Sequence, residues 1–262
     1  MTIDLRDDGI TGRSGRTVTS RVLSVLDAFT DQRRSLTLSE IGRRAGIPIA
    51  TAHRLVGELV SWGALERDPN GRYQIGLRLW EVGALAPRGL GIRDVAMPFL
   101  EDLWAATHHH VQLAVLDGTD VVYVERLGGR DLAAVRGRVG GRWPAHTTGV
   151  GLVLLAFAGE PVQRRYLSQP LATFTPLTIT DARLLRGTLA GVRQKGYAVS
   201  DRQVTMDAVS VAAPVRDGGG EVVAAVAVVV PATHREPAGL APAVVTTARG
   251  ISRRLSGLRR SG

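Results

Sequence analysis

Two groups of residues have the types and spacing to suggest catalysis or metal binding. The histidines at 108–110 form a run of imidazoles, but consecutive side chains point in different directions on a helix or a strand, so three cannot converge on one metal ion. His146 and Ser210 have no evident acidic partner for a hydrolytic triad. The glycines at 149–151 lack the third glycine of a dinucleotide fingerprint, and no P-loop motif occurs. The sequence predicts no catalytic centre, no metal site and no cofactor.

Composition narrows the class of protein further. The 262-residue chain has no cysteine, which excludes disulfides, thiolate–zinc sites, iron–sulfur clusters and a cysteine nucleophile. No apolar run approaches the roughly 18 residues that a membrane helix needs, and the polar N-terminus is not a signal peptide, so we expect a cytoplasmic protein with no membrane partner. The net charge of +9 favours a polyanionic partner. Lys195 is the only lysine, however, so the arginine excess is equally compatible with GC-rich codon usage.

A helix near the N-terminus has one apolar and one polar face. Its apolar residues have the spacing of a buried helical stripe, namely Ala52, Leu55, Val56, Leu59 and Val60. The residues predicted to point outward are Ala50, Thr51, His53, Arg54, Gly57 and Glu58. Short polar side chains at the start of a helix allow it to approach base edges in the major groove. This face therefore predicts DNA recognition.

The flanking segments complete a winged helix-turn-helix pattern. A helical stripe starts at Val18, and Thr37 and Glu40 have capping-box spacing at the start of a second helix. Residues 46–48 form a turn before the third helix, and an Asn-Gly turn at 68–71 predicts a β-hairpin. The alternative is a three-helix protein-interaction domain whose polar face is merely solvated.

Arginines surround the predicted recognition helix. Arg43 and Arg44 end the second helix, where they can reach phosphates, and Arg67 and Arg72 flank the hairpin, where a wing meets the backbone or the minor groove. The full set of candidate DNA-binding residues is Thr37, Ser39, Arg43, Arg44, Ile49, Ala50, Thr51, His53, Arg54, Arg67, Arg72 and Tyr73.

The rest of the chain predicts a linker helix and an α+β domain. A helical pattern over 77–82 precedes a break at 86–91, and Asp94 and Thr180 are predicted to cap later helices. Strands are predicted in pairs joined by Gly-containing turns, flanked by helices at both ends. The predicted organisation is a flexible arm (1–15), a winged helix-turn-helix (16–76), a linker helix and connection (77–94), a second domain (95–258) and a basic tail (259–262).

Two motif sets resemble one family of proteins. The segments 38–48 and 50–59, followed by 71–83, resemble the DNA-binding domain, wing and linker helix of the IclR family of bacterial transcriptional regulators. In the second half, 143–156, 196–203 and 210–217 resemble that family's effector domain. The resemblance covers roughly 18–258. Departures include Gln203, where the family usually has Glu.

The resemblance implies a GAF-like effector domain, operator DNA as a partner, and dimers or tetramers. It also implies an effector cavity lined by Pro144, His146, Thr147, Thr148, Gly149, Gly151, Ser200, Ser210, Ala227 and Val229. A Thr-Thr-Gly-Val-Gly run entering a helix offers backbone N–H groups and a positive dipole end to a carboxylate. Because Ala227 and Val229 give apolar walls, we expect a hydrophobic or aromatic carboxylate or lactone.

We therefore predict a regulator, not an enzyme, whose operator binding responds to a small molecule. The alternatives are a DNA-binding protein whose second domain only oligomerises, and an enzyme with an appended regulatory domain. The linker helix carries more apolar residues than a lone helix should expose, among them Leu77, Trp80 and Leu85, so we predict that it packs in a dimer interface.

Overall fold

The computed structural model describes residues 16–86, 91–128 and 138–258. The chain divides into two compact units, Met1–Leu85 and Ala86–Gly262, and this division falls inside the segment assigned above to the linker. The predicted arm at 1–15 and the tail at 259–262 lie outside the described residues. In the described part of the chain, no helix is long and apolar enough to cross a membrane.

Three helices and a small sheet make up the described part of the first unit as far as residue 75. They are α1 (Val18–Asp27), α2 (Leu38–Ala45), α3 (Ile49–Trp62), β1 (Ser35–Leu36), β2 (Leu65–Arg67) and β3 (Tyr73–Ile75). Apolar side chains from every helix and from the sheet make one buried core, including Val25, Ile41, Leu55 and Leu65. The arrangement is the predicted winged helix-turn-helix.

The structure confirms the local sequence signals in the first unit, with one omission. The capping box is present, since the Thr37 N–H donates to Glu40 Oε2 at 2.7 Å and the Glu40 N–H donates to Thr37 Oγ1 at 3.3 Å. Gly46 (φ 64°) ends α2 in a left-handed conformation that glycine adopts without strain. The sequence did not predict β1, which pairs with β3 to give the order β1-β3-β2, because a two-residue strand has no periodicity.

Helix α4 (Leu77–Gly83) follows β3 and confirms the predicted linker helix. Four apolar side chains on and just after it are more than half exposed: Leu77, Trp80, Val82 and Leu85.

A six-stranded antiparallel sheet organises the second unit. Its strands are β4 (His110–Asp117), β5 (Asp120–Leu127), β6 (Arg142–Pro144), β7 (Ala198–Asp201), β8 (Ala208–Arg216) and β9 (Val222–Pro231), in the order β6-β5-β4-β9-β8-β7. Its helices are α5 (Ile92–Thr107), α6 (Gly149–Phe157), α7 (Glu160–Leu167), α8 (Ala182–Lys195) and α9 (Ala241–Leu258). The predicted α+β class is confirmed.

The two faces of this sheet are covered by different helices. Leu113, Val211 and Val226 belong to a core shared with α5 and α9. On the opposite face, four alanines from three strands allow α6 to pack closely and bury eight of its nine residues; they are Ala114, Ala212, Ala225 and Ala227. The helix α6 is therefore fixed over β8 and β9.

Some predicted details of the second unit are corrected. Asp181, not Thr180, caps α8, because Asp181 Oδ1 accepts a hydrogen bond from the Leu184 N–H at 2.7 Å. Asp94 lies inside the first turn of α5 and does not cap it. Strand β6 and helix α7 were not predicted, since short elements give too few residues for a periodic pattern.

Candidate functional site

The outward face of α3 is open to solvent. Ile49, Ala50, His53, Arg54, Gly57 and Glu58 are exposed, and Thr51 is half-buried. The opposite face is buried at Ala52, Leu55 and Val56. Arg54 and Glu58 form an exposed ion pair one helical turn apart, so the Arg54 guanidinium is held along the helix in the absence of DNA.

Arg72 has a structural role that the sequence did not predict. Its Nη2 donates to Glu40 Oε2 at 3.0 Å and to the Ser35 carbonyl at 2.9 Å, and its Nε donates to Ser35 Oγ at 3.1 Å. These bonds join the hairpin to β1 and to the start of α2. The expected contact of Arg72 with phosphate or minor groove stays a prediction, but these bonds within the unit already orient its partly exposed guanidinium.

Two further candidate DNA-binding residues also form hydrogen bonds within the first unit. Thr37 caps α2 through its side chain, and Arg44 Nε donates to the Ala28 carbonyl at 2.8 Å, which ties α2 to α1. In contrast, Ser39 and Arg43 are exposed.

The wing carries one exposed cation beside an aromatic ring. The Arg67 guanidinium lies 5.6 Å from the centre of the Tyr73 ring, and Arg67 is exposed while Tyr73 is half-buried. A cation–π contact of this kind orients an arginine without neutralising it. Arg67 therefore presents a full positive charge near the hairpin turn.

In the second unit a cavity opens between α6 and the sheet. Its lining residues are Gln112, Tyr123, Trp143, Thr147, Thr148, Gly149, Val150, Ser200, Gln203, Val204, Thr205, Ala208, Val209, Ser210, Ala227 and Val229. None of these described lining residues carries a charge. Seven of the ten predicted effector residues are among them, whereas Pro144, His146 and Gly151 are not.

The first turn of α6 faces this cavity, but its N–H groups are not all available. Thr148 Oγ1 accepts from the Gly151 N–H at 3.0 Å, and Ser210 Oγ accepts from the Gly149 N–H at 3.2 Å. Two of the backbone N–H groups that were expected to be available to a carboxylate are therefore used within the chain. The Val150 N–H is not used by either contact, and the helix dipole still makes this end positive.

Models of two domains of one family match the chain. The IclR helix-turn-helix domain matches residues 18–69, and the bacterial transcriptional regulator IclR C-terminal domain matches residues 85–253. The chain belongs to the IclR family of bacterial transcriptional regulators.

Relatives of this IclR-family chain cover most of its length. The regulator XynR of Escherichia coli is 33% identical over 78% of this chain and 82% of its own. The regulator KipR of Bacillus subtilis is 30% identical over 79% of this chain and 82% of its own. A crystal structure of an IclR homologue from Microbacterium hydrocarbonoxydans, complexed with 4-hydroxybenzoate, is 37% identical, with a TM-score of 0.87, and covers 92% of this chain and 100% of that chain. The chain is a DNA-binding regulator with an effector-binding domain.

His146 of this IclR-family chain supports the cavity without lining it. It is buried, with Nδ1 2.8 Å from the Tyr166 hydroxyl and Nε2 3.0 Å from the Ala172 carbonyl. Burial lowers the pKa of its imidazole. Gly151 is also a packing residue, since a Cβ there would lie 2.0 Å from the Ala145 carbonyl oxygen.

The cavity contains polar residues that the sequence analysis missed. Gln112 and Tyr123 come from β4 and β5, and Gln203 from the loop after β7. The Tyr123 hydroxyl is hydrogen-bonded to Thr148, while burial raises the pKa of Tyr123. A polar residue in the apolar strand at 111–116 was the available signal for Gln112.

The histidine run does not form a metal site. His108 ends α5, His109 contacts the His234 ring edge-on at 5.4 Å, and His110 is buried. No group of three possible metal ligands occurs among the described residues.

Proposed function

We propose that this regulator reads operator DNA as a homo-oligomer through α3, and that an aromatic or otherwise hydrophobic carboxylate in the cavity changes its operator affinity. The observation that carries the effector assignment is the cavity itself: uncharged walls next to the positive end of α6. The homologue bound to 4-hydroxybenzoate supports the same class of ligand. Because its target is DNA, we place its action in the cytoplasm.

The DNA interface that we propose is smaller than the sequence set. The exposed candidates are Ser39, Arg43, Ile49, Ala50, His53, Arg54 and Arg67, joined by the half-buried Thr51 and Tyr73. Residues on α3 would meet base edges, and Arg43 and Arg67 would meet phosphates, which position a protein without specifying sequence.

The effector class follows from the chemistry of the walls. Ala227 and Val229 present apolar surface that would desolvate polar atoms without compensation. A two- or three-carbon acid would leave this surface unfilled. A ring or a longer apolar body fills it, and the carboxylate of such a ligand lies best at the start of α6, because none of the described lining residues is charged. A lactone of similar size shares the apolar body and the oxygen acceptors.

The oligomer proposal rests on the exposed side chains of α4. Leu77, Trp80 and Leu85 are each more than half exposed, and contiguous exposed apolar surface marks an interaction site. A second copy of the chain is the proposed occupant, because one recognition helix reads only one half-site of a palindromic operator.

No catalytic step is proposed. Ser210 Oγ accepts from the Gly149 N–H, while both ring nitrogens of His146 are engaged by Tyr166 and Ala172. Ser210 and His146, the pair weighed and rejected as a hydrolytic site in the sequence, therefore act here as hydrogen-bonding residues beside the cavity.

The test combines operator binding with effector titration. Genomic fragments captured by the purified full-length protein supply the operator, and fluorescence anisotropy follows its affinity as benzoate, 4-hydroxybenzoate, glyoxylate or pyruvate is added. We expect an aromatic acid to shift the operator Kd and to raise the melting temperature of the free protein. A response to glyoxylate or pyruvate alone would overturn the effector class. Operator binding that no ligand alters would favour a domain that only oligomerises.

A further inference from the structure

Gln112 lines the cavity with an amide that has no hydrogen-bond partner among the described residues. Its side chain is only 4% exposed and lines the cavity. Within the described residues, no hydrogen bond to its amide oxygen or nitrogen is present. His110 Nδ1 is the only fully buried side-chain polar atom without a partner among the described residues, so the amide of Gln112 is open to the cavity and can be reached by a ligand. A ligand in the cavity would supply the missing partner.

The second glutamine of the cavity differs from Gln112. Gln203 Oε1 accepts a hydrogen bond from the Ile179 N–H at 3.4 Å, and the Gln203 carbonyl accepts from Thr178 Oγ1 at 2.7 Å. Gln203 is therefore oriented by the chain itself. The Gln203 side chain thus has one bond within the chain and its backbone carbonyl a second, whereas no bond to the Gln112 amide is present among the described residues.

The sheet register places Gln112 across the cavity from the start of α6. Gln112 pairs with Ala227 on β9, and Ala227 pairs with Ala212 on β8. The start of α6 lies over β8, where a Cβ on Gly149 would be 3.3 Å from the Ala212 Cβ. Two strand spacings, about 10 Å, therefore separate Gln112 from the strand beneath α6. A ligand that spans this distance presents different groups at its two ends.

We infer that Gln112 is a specificity-determining residue, which hydrogen-bonds a polar ring substituent at the end of the effector opposite its carboxylate. This inference rests on the proposed function, because it takes the carboxylate to lie at α6. The apolar ring of the ligand then packs between the two ends against Ala227 and Val229. The amide can donate to a carbonyl or a hydroxyl oxygen and can accept from a hydroxyl, so a para-hydroxyl group suits it.

The test compares 4-hydroxybenzoate with 4-methylbenzoate, which has the same shape but cannot hydrogen-bond. Isothermal titration calorimetry measures both Kd values for the full-length wild type, for Gln112→Met and for the exposed control Gln169→Met. We expect the wild type and the control to prefer 4-hydroxybenzoate by about tenfold or more, since a site built to bond a hydroxyl rejects an analogue that lacks it. Gln112→Met should bind 4-hydroxybenzoate and 4-methylbenzoate with Kd values that differ by no more than about twofold.

Melting of the ligand-free proteins separates recognition from folding. Because the amide has no partner to lose, Gln112→Met should melt at the wild-type temperature or above it, and Gln112→Leu provides a second variant with the same expectation. An unchanged preference in both variants would overturn the role of Gln112 and leave the aromatic effector class standing. If neither benzoate binds the wild type, the effector class fails and this inference fails with it, whereas operator binding through α3 is judged separately by anisotropy.

Discussion

The Arg72 guanidinium lies 3.0 Å from the Glu40 carboxylate and also donates to Ser35, so one side chain joins the wing, β1 and the start of α2. Glu40 in turn accepts from the Thr37 N–H in the capping box. A residue at the predicted DNA-contacting wing is thus the connection that holds the wing in place.

Replacing Arg72 should therefore affect stability before it affects DNA contacts. Arg72→Ala removes two hydrogen bonds to Ser35, each contributing about 1 kcal/mol, while its partly exposed ion pair adds less. We expect urea denaturation to show a loss of about 1–2 kcal/mol. Arg67→Ala is the matched control, because Arg67 is exposed: it should unfold like wild type but weaken binding to all DNA sequences and reduce the salt slope. If Arg72→Ala instead behaves like Arg67→Ala, Arg72 is a phosphate contact.

Acid should weaken the same connection. Hydrogen bonds from Thr37, and then the charge of Arg72, hold the pKa of Glu40 below its usual 4.5. A lowered folded pKa contributes stability that is complete above the unfolded value and is lost as the pH falls through the folded value. We expect the amide protection factors in α2, corrected for the intrinsic exchange rate at each pH, to fall below about pH 4.5 in wild type, and less steeply in Glu40→Gln. Identical pH profiles would show that ionisation of Glu40 contributes nothing.

How much the sequence predicts depends on whether a feature is local. The outward face of α3 follows from helical phase, and the capping box from a three-residue spacing. The hydrogen-bond partner of Arg72 does not follow from a local pattern, because Ser35 lies 37 residues away in the sequence, on a strand too short to predict. Gln112 and Tyr123 enter the cavity only through the order of β5, β4 and β9, which a single sequence does not reveal. His146 was assigned by resemblance, and its burial against Tyr166 is a tertiary feature.

The Arg54–Glu58 pair predicts opposite effects for its two members. Arg54→Ala should cost on the order of 1–3 kcal/mol of operator affinity and relax one base position, if Arg54 reads a base edge. Glu58→Ala should leave affinity unchanged or raise it, because it releases Arg54 and removes a negative charge near DNA. Anisotropy titrations with the operator and a scrambled duplex measure both. Equal losses on the two duplexes for Arg54→Ala would reduce Arg54 to a phosphate contact.

The exposed surface of α4 predicts a change of oligomeric state. Trp80→Glu puts a charge into the proposed interface, where its desolvation opposes association. Sedimentation velocity at micromolar concentration should show an oligomer for wild type and a shift toward monomer for Trp80→Glu. Leu184→Glu, at an exposed apolar position on α8, serves as the control and should sediment like wild type. A wild-type monomer with intact specific operator binding would contradict the dimer.

The glycines that open α6 predict a graded series of defects. At Gly151, a Cβ would lie 2.0 Å from a backbone oxygen of Ala145, whereas at Gly149 it would lie 2.7 Å from the Ser210 hydroxyl, a side-chain atom that substitution can remove. Gly151→Ala should therefore destabilise the second unit by several kcal/mol, as overpacking against backbone does. Gly149→Ala should be milder and partly rescued by Ser210→Ala.

Gly187→Ala is the control, because nothing lies within 4 Å of its Cβ position. Alanine in the exposed middle of α8 should raise the free energy of unfolding, by at most about 1 kcal/mol. Thermal unfolding measures the series, and tolerance of Gly151→Ala would show that α6 is not fixed by this contact.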